Sequence, residues 1–176
     1  MSGLDFEISQ RPDFAIVSVQ LQPGQTVFSE PAAMASMTPS LTMKAGLKGG
    51  FKKALGRMFA GESMIVNTFT AESQPGEVVL APGIPGDVMH YRLDNNSIFL
   101  QRGAFLAHSE GLEMSAKWGG AKGFFSGHGL VLLKAQGTGD LFFNSFGAIL
   151  EIDVTDDYVV DTGYIVAFED TLDYKV

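Results

Sequence analysis

Apolar residues in this chain recur mainly at every second position. Phe6 and Ile8 alternate with Glu7 and Ser9, and Ala15, Val17, Val19 and Leu21 alternate with Ile16, Ser18 and Gln20 up to a Pro23-Gly24 turn. Alternation of this kind places successive side chains on opposite faces of a strand, so both stretches are expected to be strands. The same reading predicts strands at Thr26–Phe28, Leu41–Met43, Met64–Phe69, Glu77–Ala81, Val88–Leu93 and Ile98–Gln101, and another at Gly103–Ala107 with a glycine bend. Leu112 and Met114 alternate as well, and Leu130–Leu133, Asp140–Phe143, Ala148–Ile152, Asp157–Val160 and Tyr164–Phe168 complete the series. Pro31 and Pro39, which cannot donate to a ladder, mark breaks. Pro75-Gly76, the Pro82–Asp87 cluster and Asp94–Ser97 mark turns. Short strands between frequent turn signals predict an all-β sandwich or barrel.

The period changes once. Leu47, Phe51, Leu55 and Phe59 recur every four residues, with Lys48, Lys52, Lys53 and Arg57 on the remaining surface, which predicts a short amphipathic helix over 47–59. Gly49, Gly50 and Gly56 each cost such a helix up to about 1 kcal/mol relative to alanine, so it would depend on docking. Gly61 then reads as the helix stop before the Met64 strand.

Internal comparison exposes repetition. Phe59-Ala-Gly61-Glu-Ser-Met-Ile-Val aligns with Phe125-Ser-Gly127-His-Gly-Leu-Val-Leu, and Ser97–Ala107 around Gly103 aligns with Asp157–Ala167 around Gly163. Upstream, Gln25–Phe28, Ala32–Ala35 and Leu41–Met43 match Asn96–Phe99, Gly103–Leu106 and Leu112–Met114. Repeats of several tens of residues reveal the unit from which a fold is built. The expectation is one β-sandwich domain over 1–176, internally duplicated at about 1–92 and 93–176. Phe59, Gly61, Phe125, Gly127, Gly103 and Gly163 would form its structural corners, and 118–125 would be a shortened counterpart of the helix.

Charge narrows the function. The formal net charge is −8 and the pI about 4.7, which opposes nucleic-acid binding, because neutralising phosphates requires clustered Lys and Arg. With no cysteine, the chain forms no disulfide, thiolate nucleophile or cysteine-ligated zinc site. The start Met1–Ile8 lacks a basic region followed by an apolar run, and no apolar run reaches the roughly 18 residues of a spanning helix. A cytoplasmic location is expected.

Several runs carry a family resemblance: Gly61-Glu62-Ser63 with Asn67-Thr68-Phe69, Ala81–Asp87, Gln101-Arg102-Gly103-Ala104-Phe105-Leu106-Ala107, and Val160–Phe168 around Gly163. Their order resembles the altered-inheritance-of-mitochondria (mitochondrial biogenesis) protein family, related by fold to the tryptophan RNA-binding attenuation proteins. The resemblance covers nearly the whole chain. It implies a double-stranded β-helix-like sandwich, oligomerisation and no assigned catalytic activity. His128 and Gly129 depart from it, standing where the motif favours Glu and a small residue. Family members also continue with a further Gly-rich segment and strand pair beyond the position of Tyr174-Lys-Val.

The candidate chemistry is sparse. A cupin-type metal centre needs two histidines one residue apart on a strand, and His90, His108 and His128 supply no such pair; His108 with Glu110 is the nearest fragment. Gly61-Glu-Ser63-Met-Ile lacks the second glycine of a nucleophile elbow, and Ser126-Gly-His128 has no acid that sequence can place. Gly119-Gly-Ala-Lys-Gly lacks the Gly-Lys-Ser/Thr of a phosphate loop. No catalytic residue, metal ligand or cofactor is assigned.

The acids gather late: Glu151, Asp153, Asp156, Asp157, Asp161, Glu169, Asp170 and Asp173 are opposed after residue 150 only by Lys175. They read as solvated strand edges that resist aggregation. Their sign is opposite to that of Lys48, Lys52, Lys53 and Arg57, so a head-to-tail contact between subunits is expected to close a cyclic homo-oligomer, with a trimer favoured. The function expected is a non-enzymatic scaffold or interaction protein whose candidate interaction surface is Lys48, Phe51, Lys52, Lys53, Leu55 and Arg57. The rival is a peripheral membrane or small-molecule binding module using the same basic segment. A cupin-like enzyme stands behind both.

Overall fold

The computed structural model describes residues 3–47, 65–118 and 131–175. Its strands are β1 (Asp5–Ser9), β2 (Ile16–Leu21), β3 (Thr26–Ser29), β4 (Met34–Met37), β5 (Leu41–Leu47), β6 (Ile65–Ala71), β7 (Gly76–Leu80), β8 (Val88–Gln101), β9 (Phe105–Ser109), β10 (Leu112–Trp118), β11 (Val131–Asn144) and β12 (Ala167–Glu169). One sheet has the order β1-β2-β7-β4. A larger sheet runs β12-β8-β11-β9-β3-β6-β5, and β10 also pairs with β11. The ladders are antiparallel, which makes the all-β sandwich expected from the alternating pattern.

Alternation explains the packing between the sheets. Val17, Val19 and Leu21 of β2 and Val78 and Leu80 of β7 are buried, while Ile16, Ser18 and Gln20 are half-buried on the other face. The buried set meets Val27, Phe69, Ala107 and Phe142 of the larger sheet in one core. A second core lies on the opposite face of that sheet, built from Leu93, Ile98, Leu100, Phe105, Leu112, Leu133, Ala135, Leu141 and Phe143. Both ends of β11 contribute to it, so the sheet curls around this second core.

The curl passes through a bulge. Asp94–Ser97, expected as a turn, instead lies inside the 14-residue strand β8, which pairs with β11 along its whole length. Asn95 takes φ 57°, a left-handed conformation that asparagine tolerates, and the register shifts opposite it between Gly137 and Thr138. Thr138 Oγ1 accepts from Asn95 N at 3.1 Å, and Asn96 Oδ1 accepts from Asp94 N at 2.8 Å, so side chains replace the missing ladder bonds. Against this bulge packs the β9–β10 turn. Gly111 (φ 87°) and Gly137 (φ 122°) each face the backbone of the other strand closely enough that a Cβ on either would collide with a carbonyl oxygen.

Three expectations need correction or placement. Leu47 and Trp118, expected to open helices at 47–59 and 118–125, are the last residues of β5 and β10, paired with Ile65 and Val131. A four-residue apolar period starting at Leu47 lost there to a ladder that β6 completes. The remainder of both helical segments lies outside the described residues. The strands expected at Ala148–Ile152 and Asp157–Val160 do not form: from Ala148 to Asp161 the chain has no ladder, and only β12 survives from the Tyr164–Phe168 strand. Their sequence alternates as a strand should, but among the described residues no strand pairs with them to receive their hydrogen bonds.

Candidate functional site

Asp140 on β11 is a buried acid that three donors hold. The β8 register sets Arg92 opposite it and His90 one pair further along, on the same face. Its Oδ1 accepts from His90 Nε2 at 2.9 Å, and its Oδ2 accepts from Arg92 Nη1 at 2.9 Å and from the Leu4 backbone N at 2.8 Å. Burial alone would raise this carboxyl, but the bonds from His90, Leu4 and Arg92 outweigh it and hold it at about 2. The imidazole is also packed, with Phe6 at 4.4 Å and Phe142 at 5.2 Å between ring centroids. This cluster therefore ties the segment leading into β1 onto the larger sheet.

Among the described residues no hydroxyl is hydrogen-bonded to His90. Ser109, the nearest bonded serine, accepts from the Asp140 backbone N at 2.8 Å and donates to Glu110 O at 3.0 Å, so its hydroxyl serves the corner and not the imidazole. His108 faces the other way: it pairs with Leu141, whereas His90 pairs with Phe142, and neighbouring positions on β11 point to opposite faces. His108 is fully buried, stacks on Phe28 at 4.9 Å and donates from Nδ1 to Ser109 O at 2.6 Å, while Glu110 is exposed. Among the described residues no three His, Asp or Glu side chains gather as metal ligands.

A second buried acid, Asp87, receives a two-pronged bond from Arg11, Nε to Oδ1 at 2.7 Å and Nη2 to Oδ2 at 2.8 Å. The Arg11 bond, together with the Val88 and Ile149 backbone donors, holds its carboxyl below the usual range despite burial. Around it three segments lie side by side. Ala15 N donates to Gly86 O at 2.9 Å, Asp87 N to Gly147 O at 3.0 Å, and Ser145 N to Asp87 O at 3.1 Å. Phe14, Ile84 and Phe146 project from these segments and are exposed. An open apolar groove of about 290 Å³, lined by Phe14, Ile16, Pro82, Ile84 and Pro85, lies on one side of them.

From this point the chain continues as an arm, Phe146 to Tyr164, reaching β12 on the edge of β8. Eight of the fourteen large apolar side chains exposed among the described residues belong to it: Phe146, Leu150, Ile152, Val154, Tyr158, Val159, Val160 and Tyr164. Val159 is 95% exposed and Leu150 82%. Exposed apolar side chains gathered in one segment mark a candidate interaction surface. The later acids behave differently. Glu169 accepts from Tyr91 Oη at 2.6 Å, and Asp170 accepts from Ser97 and lies 3.6 Å from Lys134 Nζ. The bond to Glu169 pushes the Tyr91 hydroxyl up to about 12, with burial adding to the shift.

The candidate interaction surface read from sequence, Lys48, Phe51, Lys52, Lys53, Leu55 and Arg57, lies outside the described residues, as do Phe59, Gly61, Phe125, Gly127 and His128. The segments that hold them join β5 to β6 and β10 to β11. Gly103 sits in a 3-10 turn, Arg102–Ala104, with open space where a Cβ would stand; Gly163 sits in another, Thr162–Tyr164, where its N donates to Asp161 Oδ1 at 2.8 Å. Sequence reasoning missed the Asp140 cluster, because His90, Arg92 and Asp140 converge only once β8 and β11 are in register. It assigned the arm to strands and so did not anticipate its exposure.

Among the described residues, no helix is long and apolar enough to cross a membrane. An uncharacterized protein of Streptococcus pyogenes serotype M6 is 31% identical over 185 residues, covering 97% of this chain and 73% of the relative. The crystal structure of protein SPYM3_0169 from Streptococcus pyogenes superposes with a TM-score of 0.82 at 30% identity, covering 98% of this chain and 79% of that one. The sequence profile of the mitochondrial biogenesis AIM24 family matches residues 6–176, and this chain belongs to that family.

Proposed function

We propose that this chain is a non-enzymatic scaffold that works as a homo-oligomer, with the Phe146–Tyr164 arm as its assembly element. One observation carries the reading: a segment without a ladder, alternating over Leu150–Val154, presents Leu150, Ile152, Val154, Val159 and Val160 to water. Burying a side chain of this kind is worth about 1.5–3 kcal/mol, so covering several of them gives a strong drive to associate. The non-enzymatic part rests on the polar groups already described. Asp140, His90, Asp87 and Ser109 each spend hydrogen bonds on holding strands together.

The test is the native mass by light scattering, for the unaltered chain and for a Leu150→Ser/Val159→Ser variant. The reading expects a multiple of 18.9 kDa that falls toward one chain in the variant, with the circular dichroism of a folded β protein retained. A monomer at every concentration would refute it. The groove beside Phe14 and Ile84 is the basis of a second reading, binding of a small apolar molecule, because exposed apolar side chains line it. Mass spectrometry of the purified protein, with a co-purifying ligand as the positive result, tests it.

A further inference from the structure

We infer that the arm docks as an added strand on the free edge of β5 of a second copy, so that neighbouring subunits join head to tail. This rests on the self-assembly reading above and names the surface it uses. The arm needs a ladder: Leu150-Glu151-Ile152-Asp153-Val154 alternates apolar and acidic residues and has no strand partner among the described residues. Strand addition at an open sheet edge satisfies such a backbone and reads alternate side chains.

Charge chooses among the edges. Between Phe146 and Val166 the chain carries Glu151, Asp153, Asp156, Asp157 and Asp161 and no Lys or Arg. None of these five carboxylates makes an ion pair among the described residues. The outer edge of β1 carries Asp5 and Glu7 and would repel the arm. The outer edge of β4 is uncharged, and β10 carries one charge of each sign, Glu113 and Lys117. Beyond β12, the β8 edge offers Arg92, already held by Asp140, beside Asp94. Among the described residues, β5 combines an unpaired outer edge with net positive charge: Lys44 is exposed and makes no ion pair there, beside the exposed Met43. The sequence from Pro31 to Gly61 has five cations, Lys44, Lys48, Lys52, Lys53 and Arg57, and no acid; the last four lie outside the described residues.

In the strand order the arm and its seat lie on different edges, and the inference places the contact between two copies. The arm leaves β11 and ends at β12, beside β8, while β5 closes the opposite end of the same sheet. An arm on one end and its seat on the other form a heterologous interface, which generates a ring if the rotation closes.

The chain has no cysteine, so paired single-cysteine variants report the contact directly. Ala45→Cys on β5 is mixed with isotope-labelled Leu150→Cys, Ile152→Cys or Val154→Cys on the arm and mildly oxidised; Ser36→Cys on the β4 edge is the control. The inference expects a mixed disulfide dimer with Ala45→Cys at one or more arm positions and none with Ser36→Cys. Lys44→Glu should abolish it, and adding Asp153→Lys to the arm should restore it. Crosslinking to Ser36→Cys instead, or no mixed crosslink while the native mass stays oligomeric, overturns the docking and leaves self-assembly standing. A monomeric native mass overturns both.

Discussion

Replacing Asp140 with Asn removes a buried charge while keeping the side chain's size. Two routes give its contribution. The carboxyl is held at about 2 against an ordinary value of 3.8. At 1.36 kcal/mol per pH unit this corresponds to about 2 kcal/mol of stability. Counting bonds, a charge-assisted bond from the quarter-exposed His90 contributes about 1–2 kcal/mol, and the more exposed Arg92 adds under about 1. The Leu4 N bond can survive in the amide. Both routes place Asp140→Asn at about 2 kcal/mol of lost stability near neutral pH. The folded value lies below the unfolded one, so this stability is fully present above about pH 4 and fades as pH falls through about 2. Urea unfolding followed by circular dichroism, at one protein concentration because assembly couples to stability, should show the gap between the two proteins closing from pH 6 to pH 2. An Asp140→Asn protein as stable as the parent at pH 6, or a gap unchanged at low pH, would refute the role assigned to this carboxylate.

Other outcomes follow from the same structure. Gly137→Ala should cost about 1–3 kcal/mol in urea unfolding, because its φ of 122° and the Gly111 carbonyl leave no room for a Cβ, whereas Gly103→Ala should stay within about 0.5 kcal/mol. Phe142→Ala, removing a fully buried ring between the two sheets, should cost about 3–5 kcal/mol by the same measurement. Spectrophotometric titration of the four tyrosines should reveal one ionising near 12, and Tyr91→Phe should remove that step.

The sandwich was legible because its strands are amphipathic in the simplest way. Val17, Val19 and Leu21 alternate with polar or half-buried neighbours, and that pattern survives folding unchanged. Asp94–Ser97 was misread for a physical reason: the same asparagines that initiate turns also tolerate the left-handed residue of a bulge, and only the opposing strand decides between them. Gly103 drew attention through internal repetition, yet the close approach falls at Gly111 and Gly137, which become neighbours only after β9, β10 and β11 pair. The Asp140 cluster was hidden similarly, since Leu4, His90, Arg92 and Asp140 are spread across most of the chain. For the arm, Leu150–Val154 alternates as a strand does yet forms no ladder, because a strand also needs an edge to join and alternation does not supply one.

Light scattering on the native protein at low and high salt tests the account's central claim most directly. It predicts an assembly that is a multiple of 18.9 kDa and that weakens as salt screens the acidic arm from the Lys44 edge. A mass of 18.9 kDa at every concentration and salt would contradict it.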